Sequence, residues 1–141
     1  MNALERLEHI KKIDQLIDAK IAERDRLIAL ATDISAKPIT DMPYHGKGLI
    51  SRKVEDAVVE LVSLSGEIDR LIDYYVDYKR QMVMILEQLP VNEYGVLHRH
   101  YIRYMTCEAI AEDMGYSVQH IYRLKKKGLQ DLALIIPETH S

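Results

Sequence analysis

One uninterrupted apolar rhythm restricts this chain more than anything else in it. Between residues 52 and 89, Val54, Val58, Leu61, Ser65, Ile68, Ile72, Tyr75, Lys79, Met82, Leu86 and Leu89 recur at alternating steps of four and three, with no proline among them. That is the period of a helix seam; a strand would alternate every two residues. A second apolar row, Ala57, Leu64, Leu71, Tyr78 and Ile85, runs beside the first. The combined stripe is wide enough to face more than one neighbour. At 1.5 Å per residue such a helix would extend ~55 Å, and it cannot bury its stripe alone.

The partner lies upstream. In residues 2 to 34, Leu4, Leu7, Ile10, Ile13, Ile17, Ile21, Leu27 or Ile28, and Ala31 follow the same spacing without a glycine or proline. Residues 35–51, SAKPITDMPYHGKGLIS, break the period with two prolines and two glycines, which predicts a flexible loop. Residues 1–89 are therefore expected to form a long antiparallel helical hairpin, coiled-coil-like, closed by the loop at 35–51. Folding about the loop centre pairs residues whose numbers sum to about 86. That register sets Lys11 and Lys12 opposite Asp73 and Asp77 of the row Asp69, Asp73, Asp77. One hairpin partner covers roughly one apolar row. The row left over predicts a homodimer through the hairpin, with Tyr75, Tyr78, Met82 and Ile85 as its contacts.

Pro90 ends the long helix, and the short joint PVN opens a C-terminal domain, residues 90–141, with a first helix over Glu93 to Met105. The stretch MTCEAIAEDMGYSVQHIYRLKKKG, Met105 to Gly128, is the most informative part of the chain. The Thr106 hydroxyl can accept a bond from a free N–H of the next helix's first turn, and Glu108 suits the positive end of that helix. Ala111 is small enough for a second helix to cross closely. Gly115 supplies the positive φ of a tight turn. Ser117 caps a helix over residues 118–136, and Ile121 and Leu124 begin its buried side. A small residue, four positions to a glycine, two to a serine cap, then apolar positions four and seven beyond it, is helix-turn-helix spacing.

With Ile121, Leu124, Gly128 and Leu132 turned inward, Gln119, Arg123, Lys126 and Gln130 point directly away, at 100° per residue. His120, Tyr122 and Lys127 lie on the flanks, and Lys125 snorkels from nearer the core. Ser117 to Gly128 contain four permanent cations and no acid, in a chain whose net charge is −3. A local basic face on the second helix of a helix-turn-helix is the footprint of a DNA reader.

YIRYMTCEAIAEDMGYSVQHIYRLKKKGLQDL resembles region 4 of bacterial sigma factors, whose helix-turn-helix reads the promoter −35 element. The resemblance covers about 40 residues, Val96 to Leu132. The charged hairpin before it, with its Pro/Gly-rich loop, is similar to small prophage proteins of the ArpU and RinA type of phage late-transcription regulators. The resemblance implies that Ser117, Gln119, His120, Arg123 and Lys127 face DNA. Val118 and Tyr122 depart from it, standing where sigma factors often carry charge. No segment corresponds to the region that melts a promoter.

Other chemistry is poorly supported. His98 and His100 of HRH lie 200° apart on a helix, unsuited to one metal. HGKG, His45 to Gly48, lacks the full phosphate-loop pattern. The aspartate row lies on one helix rather than in a cleft. Cys107 is the single cysteine, so no intramolecular disulfide forms and a cysteine zinc site is not expected. A lone thiol suits a reducing cytoplasm. The N-terminus has no apolar signal core, and no apolar run nears the ~20 residues of a membrane span.

The expectation is an all-α protein: a long antiparallel hairpin followed by a C-terminal three-helix helix-turn-helix domain. It would be cytoplasmic and non-enzymatic, with no cofactor, metal or membrane contact. Its expected role is a sequence-specific regulator of transcription of phage or prophage type, bound to double-stranded DNA and in contact with host RNA polymerase. Gln119, His120, Tyr122 and Arg123 would read bases; Ser117, Lys126 and Lys127 would hold phosphates; Ala111, Gly115, Ile121 and Leu124 would form the motif's frame. The alternatives are a small terminase-like phage packaging subunit, or a helical adaptor that binds RNA polymerase or another protein without reading DNA.

Overall fold

The computed structural model describes residues 1–36 and 44–136, which are helices and short turns without a strand. The elements are α1 (Ala3–Ala36), α2 (Tyr44–Leu86), α3 (Val91–Leu97), a π-helical turn (His98–Ile102), α4 (Cys107–Met114) and α5 (Val118–Ile135). The Asn2 side chain starts α1 by accepting the Glu5 N–H at 2.8 Å. Pro90 stops the helical run of α2 and opens α3 directly, its carbonyl accepting the Tyr94 N–H at 2.9 Å. A proline cannot donate to a preceding turn, but its fixed φ suits a helix start. No helix among the described residues is long and apolar enough to cross a membrane.

Two sequence expectations need correction. Within the segment 35–51 expected as a loop, Ser35 and Ala36 belong to α1 and residues 44–51 to α2. No proline follows Pro43 before Pro90, and a helix tolerates a glycine at ~1 kcal/mol each. The remainder of that loop lies outside the described residues. The helix expected over Glu93 to Met105 begins at Val91 and ends at Ile102. Its last turn widens, with Arg103 N–H donating to the His98 carbonyl and Met105 N–H to the Arg99 carbonyl. The widening sends the consecutive residues Tyr101 and Ile102 into the interior together. It is followed by Tyr104 at φ 57°, the left-handed region that side chains other than glycine rarely enter.

The chain divides into two closely packed units, Met1–Asp14 with Tyr74–Ser141, and Gln15–Asp73. In the first, Ala3, Leu7 and Ile10 of α1 share a core with Met82 and Leu86 of α2, Leu97, Tyr101, Ile102, Leu132 and Ile136. Tyr78 donates to the Arg6 carbonyl at 2.8 Å, and the His9 ring lies 3.2 Å from the Tyr74 hydroxyl. In the second unit Ile17, Leu64 and Ile68 are buried, and Lys20 pairs with Glu67 at 2.9 Å. These partners obey the expected antiparallel register closely. The charges expected to meet do not: Lys11 instead lies 5.9 Å above the Tyr104 ring.

What positions α5 is its contact with α3. A Cβ added to Gly128 would stand 3.0 Å from Leu97 Cδ1 and 3.4 Å from Glu93 Cβ. Leu97 is itself fully buried and cannot give way. Glu93, 2% exposed, is the one buried charged side chain among the described residues. Burial pushes its carboxyl up, and the neighbouring Asp131 carboxyl of α5 pushes it further, against a smaller opposing pull from Lys127, while its Oε2 is buried without a hydrogen-bond partner.

Two outcomes follow from this contact. Gly128→Val should destabilise the chain by ~1–3 kcal/mol through overpacking, read as a lower midpoint of chemical unfolding. The raised Glu93 carboxyl means the neutral form is favoured in the folded chain. Its contribution is therefore full below the ordinary value of 4.5 and is lost as pH rises through the raised value. Glu93→Gln should flatten that part of the stability–pH curve, and an unchanged curve would show that the carboxyl is not buried against Asp131.

Candidate nucleic-acid interface

The interface is built from two capped helices and one glycine. The Thr106 Oγ1 accepts the Ala109 N–H at 3.1 Å and starts α4. Gly115 ends it in the left-handed conformation, φ 73° and ψ 30°, its N–H donating to the Ala111 carbonyl. The Tyr116 N–H donates to the same carbonyl at 3.0 Å. Two residues on, Ser117 is extended, and its Oγ accepts the His120 N–H at 3.1 Å to begin α5. Each cap supplies an acceptor to a first-turn donor that the helix cannot satisfy, and each is worth about 1 kcal/mol.

Behind this turn lies a small core of Val96, Cys107, Ile110, Ala111 and Ile121, flanked by Met105, Met114, Val118 and Leu124. Ala111 and Ile121 are buried where α4 and α5 cross. Arg99 of the π turn pairs with Asp113 of α4 at 2.7 Å and donates to the Gly95 carbonyl at 3.0 Å, tying α4 to the helix beneath it. The guanidinium holds the Asp113 carboxyl below its usual value.

On the opposite side of α5, Gln119, Tyr122, Arg123, Lys126, Lys127 and Gln130 are all exposed. Gln119, Arg123, Lys126 and Gln130 follow one another at helical spacing and share the outward row. Tyr122 sits beside Cys107 and Glu108, which push its phenol up, so it remains a hydrogen-bond donor at neutral pH. Ser117 is exposed, and its hydroxyl proton stays available while its oxygen caps the helix.

His120 differs from the rest. It is half-buried, with its ring edge-on to Tyr116 at 4.7 Å between centroids. That contact braces the turn and limits the ring's reach. Lys125 is half-buried too, its ammonium 5.8 Å above the buried Tyr101 ring. Burial pushes the Tyr101 phenol up to about 12, so the ring facing that cation is neutral.

The residues that sequence reasoning missed position the helix rather than face outward. Glu93 carries the clearest overlooked signal, since it precedes Leu97 by four positions and so shares its inward face. Arg99 and Asp113 left no comparable mark, because they join elements whose crossing the sequence does not state; Lys125 was expected nearer the core, and only its partner Tyr101 was not legible. Among the described residues, no group of three His, Cys, Asp or Glu side chains is placed to hold a metal ion.

Comparison with known proteins bears on this same segment. The chain is 28% identical over 96 residues to RNA polymerase sigma factor SigO of Bacillus subtilis, an alignment covering 67% of this chain and 52% of that protein. The chain thus spans about half the length of the curated relative it matches. No solved structure matches it. Residues 85–133 match the family model for Sigma-70, region 4. The match runs from the end of α2 into α5 and takes in both caps, the glycine turn and the basic row: this segment is a sigma-70 region 4 helix-turn-helix.

Proposed function

We propose that the chain is a sequence-specific DNA-binding regulator of transcription, of phage or prophage type, that lays α5 in the major groove of duplex DNA. The observation that carries this reading is the outward row of α5, cationic and free of acid from Ser117 to Gln130, on the second helix of a region 4 motif. Its work is binding alone, with no reaction of its own, in the cytoplasm of a bacterial host. The name of the similar SigO protein supports RNA polymerase as a further partner.

In this reading Gln119 and Arg123, one turn apart near the N-terminal end of α5, meet base edges. A glutamine can bond both edge groups of adenine and an arginine both acceptors of guanine, each pairing worth ~1–3 kcal/mol of discrimination. Tyr122 lies beside them, and His120 assists from the flank. Lys126 and Lys127 stand further along, where the helix leaves the groove, and with Ser117 they hold phosphates. A lysine on a phosphate releases counterions and adds affinity without reading sequence.

The test is a pair of variants measured on DNA selected from random duplexes. Arg123→Ala should relax the preference at one base pair. Lys126→Gln should weaken every duplex about equally and lower the salt slope by about one unit. Two variants with identical sequence profiles and unchanged salt slopes would sink the assignment. Wild-type protein that binds no duplex at low salt would favour the protein-binding adaptor, and binding confined to packaging-type sites would favour the terminase-like reading.

A further inference from the structure

Tyr75, Tyr78, Met82 and Ile85, the residues expected to join two copies, are taken up inside the chain: Met82 is buried, and the other three pack against its core. The unused chemistry of this unit lies behind α5 instead. A carboxyl group is costly to bury unless it is paired or protonated. Glu93 is buried, and its Oε2 has no hydrogen-bond partner among the described residues.

Its surroundings come from α5. A Cβ on Gly128 would stand 3.4 Å from the Glu93 Cβ, so the two helices touch at this point. Asp131 follows Gly128 by three positions and Lys127 precedes it by one, and both flank the contact. Burial and then Asp131 push the Glu93 carboxyl up, and Lys127 pulls it down. Cations of the neighbouring turns are engaged elsewhere: Arg99 holds Asp113 and the Gly95 carbonyl, and Lys125 lies over the Tyr101 ring.

Lys127 therefore has two competing uses. It lies four residues before Asp131 on α5, within reach of the carboxyl pair. It is also exposed beside the basic row, where it would hold a phosphate. One ammonium cannot serve both. We propose that Glu93 is a positioning residue for DNA binding: while it holds a proton, Lys127 is available to a phosphate, and when it loses that proton the two carboxylates draw Lys127 back. The inference rests on the DNA-binding reading above. Its direction follows from the charges. In the chain alone, Lys127 offsets part of the cost of ionising Glu93. With Lys127 on a phosphate that offset is lost, and the phosphate itself opposes a further negative charge. Glu93 then holds its proton more tightly in the complex, so binding takes up a proton. Affinity is greatest at low pH and falls as pH rises through the raised Glu93 value, by up to about tenfold per pH unit for one linked proton. Withdrawal of one lysine should lower the salt slope by about one unit over the same range.

The test is the affinity of the full chain for one selected duplex between about pH 5 and pH 8, at several salt concentrations. Wild-type protein should weaken across this range as described. Glu93→Gln, neutral at every pH, should keep the low-pH affinity throughout, with a salt slope that does not change with pH. His120 also gains charge at low pH, but both proteins carry it, so the difference between their curves belongs to Glu93. Asp131→Asn removes the acid that raises Glu93 and should move the step to lower pH, a shift that does not depend on how well Glu93→Gln folds. Carbon-13 NMR of the Glu93 carboxyl, followed without DNA, should show it titrating above the ordinary 4.5. Parallel pH curves for wild type and Glu93→Gln, a step unmoved by Asp131→Asn, or a Glu93 carboxyl titrating at or below 4.5 would each overturn the proposal while DNA binding stands. A chain that binds no duplex at any pH would overturn it together with the reading on which it rests.

Discussion

The close seating of α5 on α3 is the contact on which the rest of the C-terminal segment depends. At Gly128 no side chain separates the two helices, and Leu97 and Glu93 of α3 fill the space. Ile121 and Leu132, on the same side of α5, are fully buried. Burying each of these aliphatic side chains is worth ~1.5–3 kcal/mol, against ~0–1 kcal/mol for an exposed charge pair. Hydrophobic burial therefore decides the rotation of α5 about its own axis. Gln119, Arg123 and Lys126 face outward because the opposite side has nowhere else to go.

The same contact sorts the charges. Two acids of this region are held away from the basic row: Asp131 on the inner side beside the buried Glu93, and Asp113 at α4, bound to Arg99. Lys125 is drawn over Tyr101, leaving Arg123, Lys126 and Lys127 exposed. Exposed charges act over a Debye length of about 8 Å at physiological salt. A basic row of this kind keeps its own field although the whole chain carries a net charge of −3.

The long helices follow the same logic with a different result. In the unit that contains the helix-turn-helix, the first turns of α1 and the last turns of α2 supply part of one continuous core. Leu7 and Ile10 are thus committed to the same core as Leu97 and Leu132, far away in sequence. The wide stripe of α2 reflects several faces in use along one helix. Where Ala57, Leu64 and Ile68 turn inward, Val58, Val59 and Val62 stay open to solvent.

How much of this was legible in the sequence depends on the range of the interaction. The two caps, the Gly115 turn, the all-α class and the inward and outward sides of α5 are all written in residues within a few turns of one another, and the antiparallel register followed from matching two such local patterns about the segment between them. Helical periodicity and capping act over that distance, so the order of residues alone determines them. The wide turn at His98–Ile102, the left-handed Tyr104, the burial of Glu93 against α5, and the choice of Tyr104 rather than an aspartate by Lys11 were not legible. Each depends on which residues from distant parts of the chain meet when the helices cross, and only the tertiary packing decides that, because a side chain's cheapest partner is set by what burial has already placed beside it.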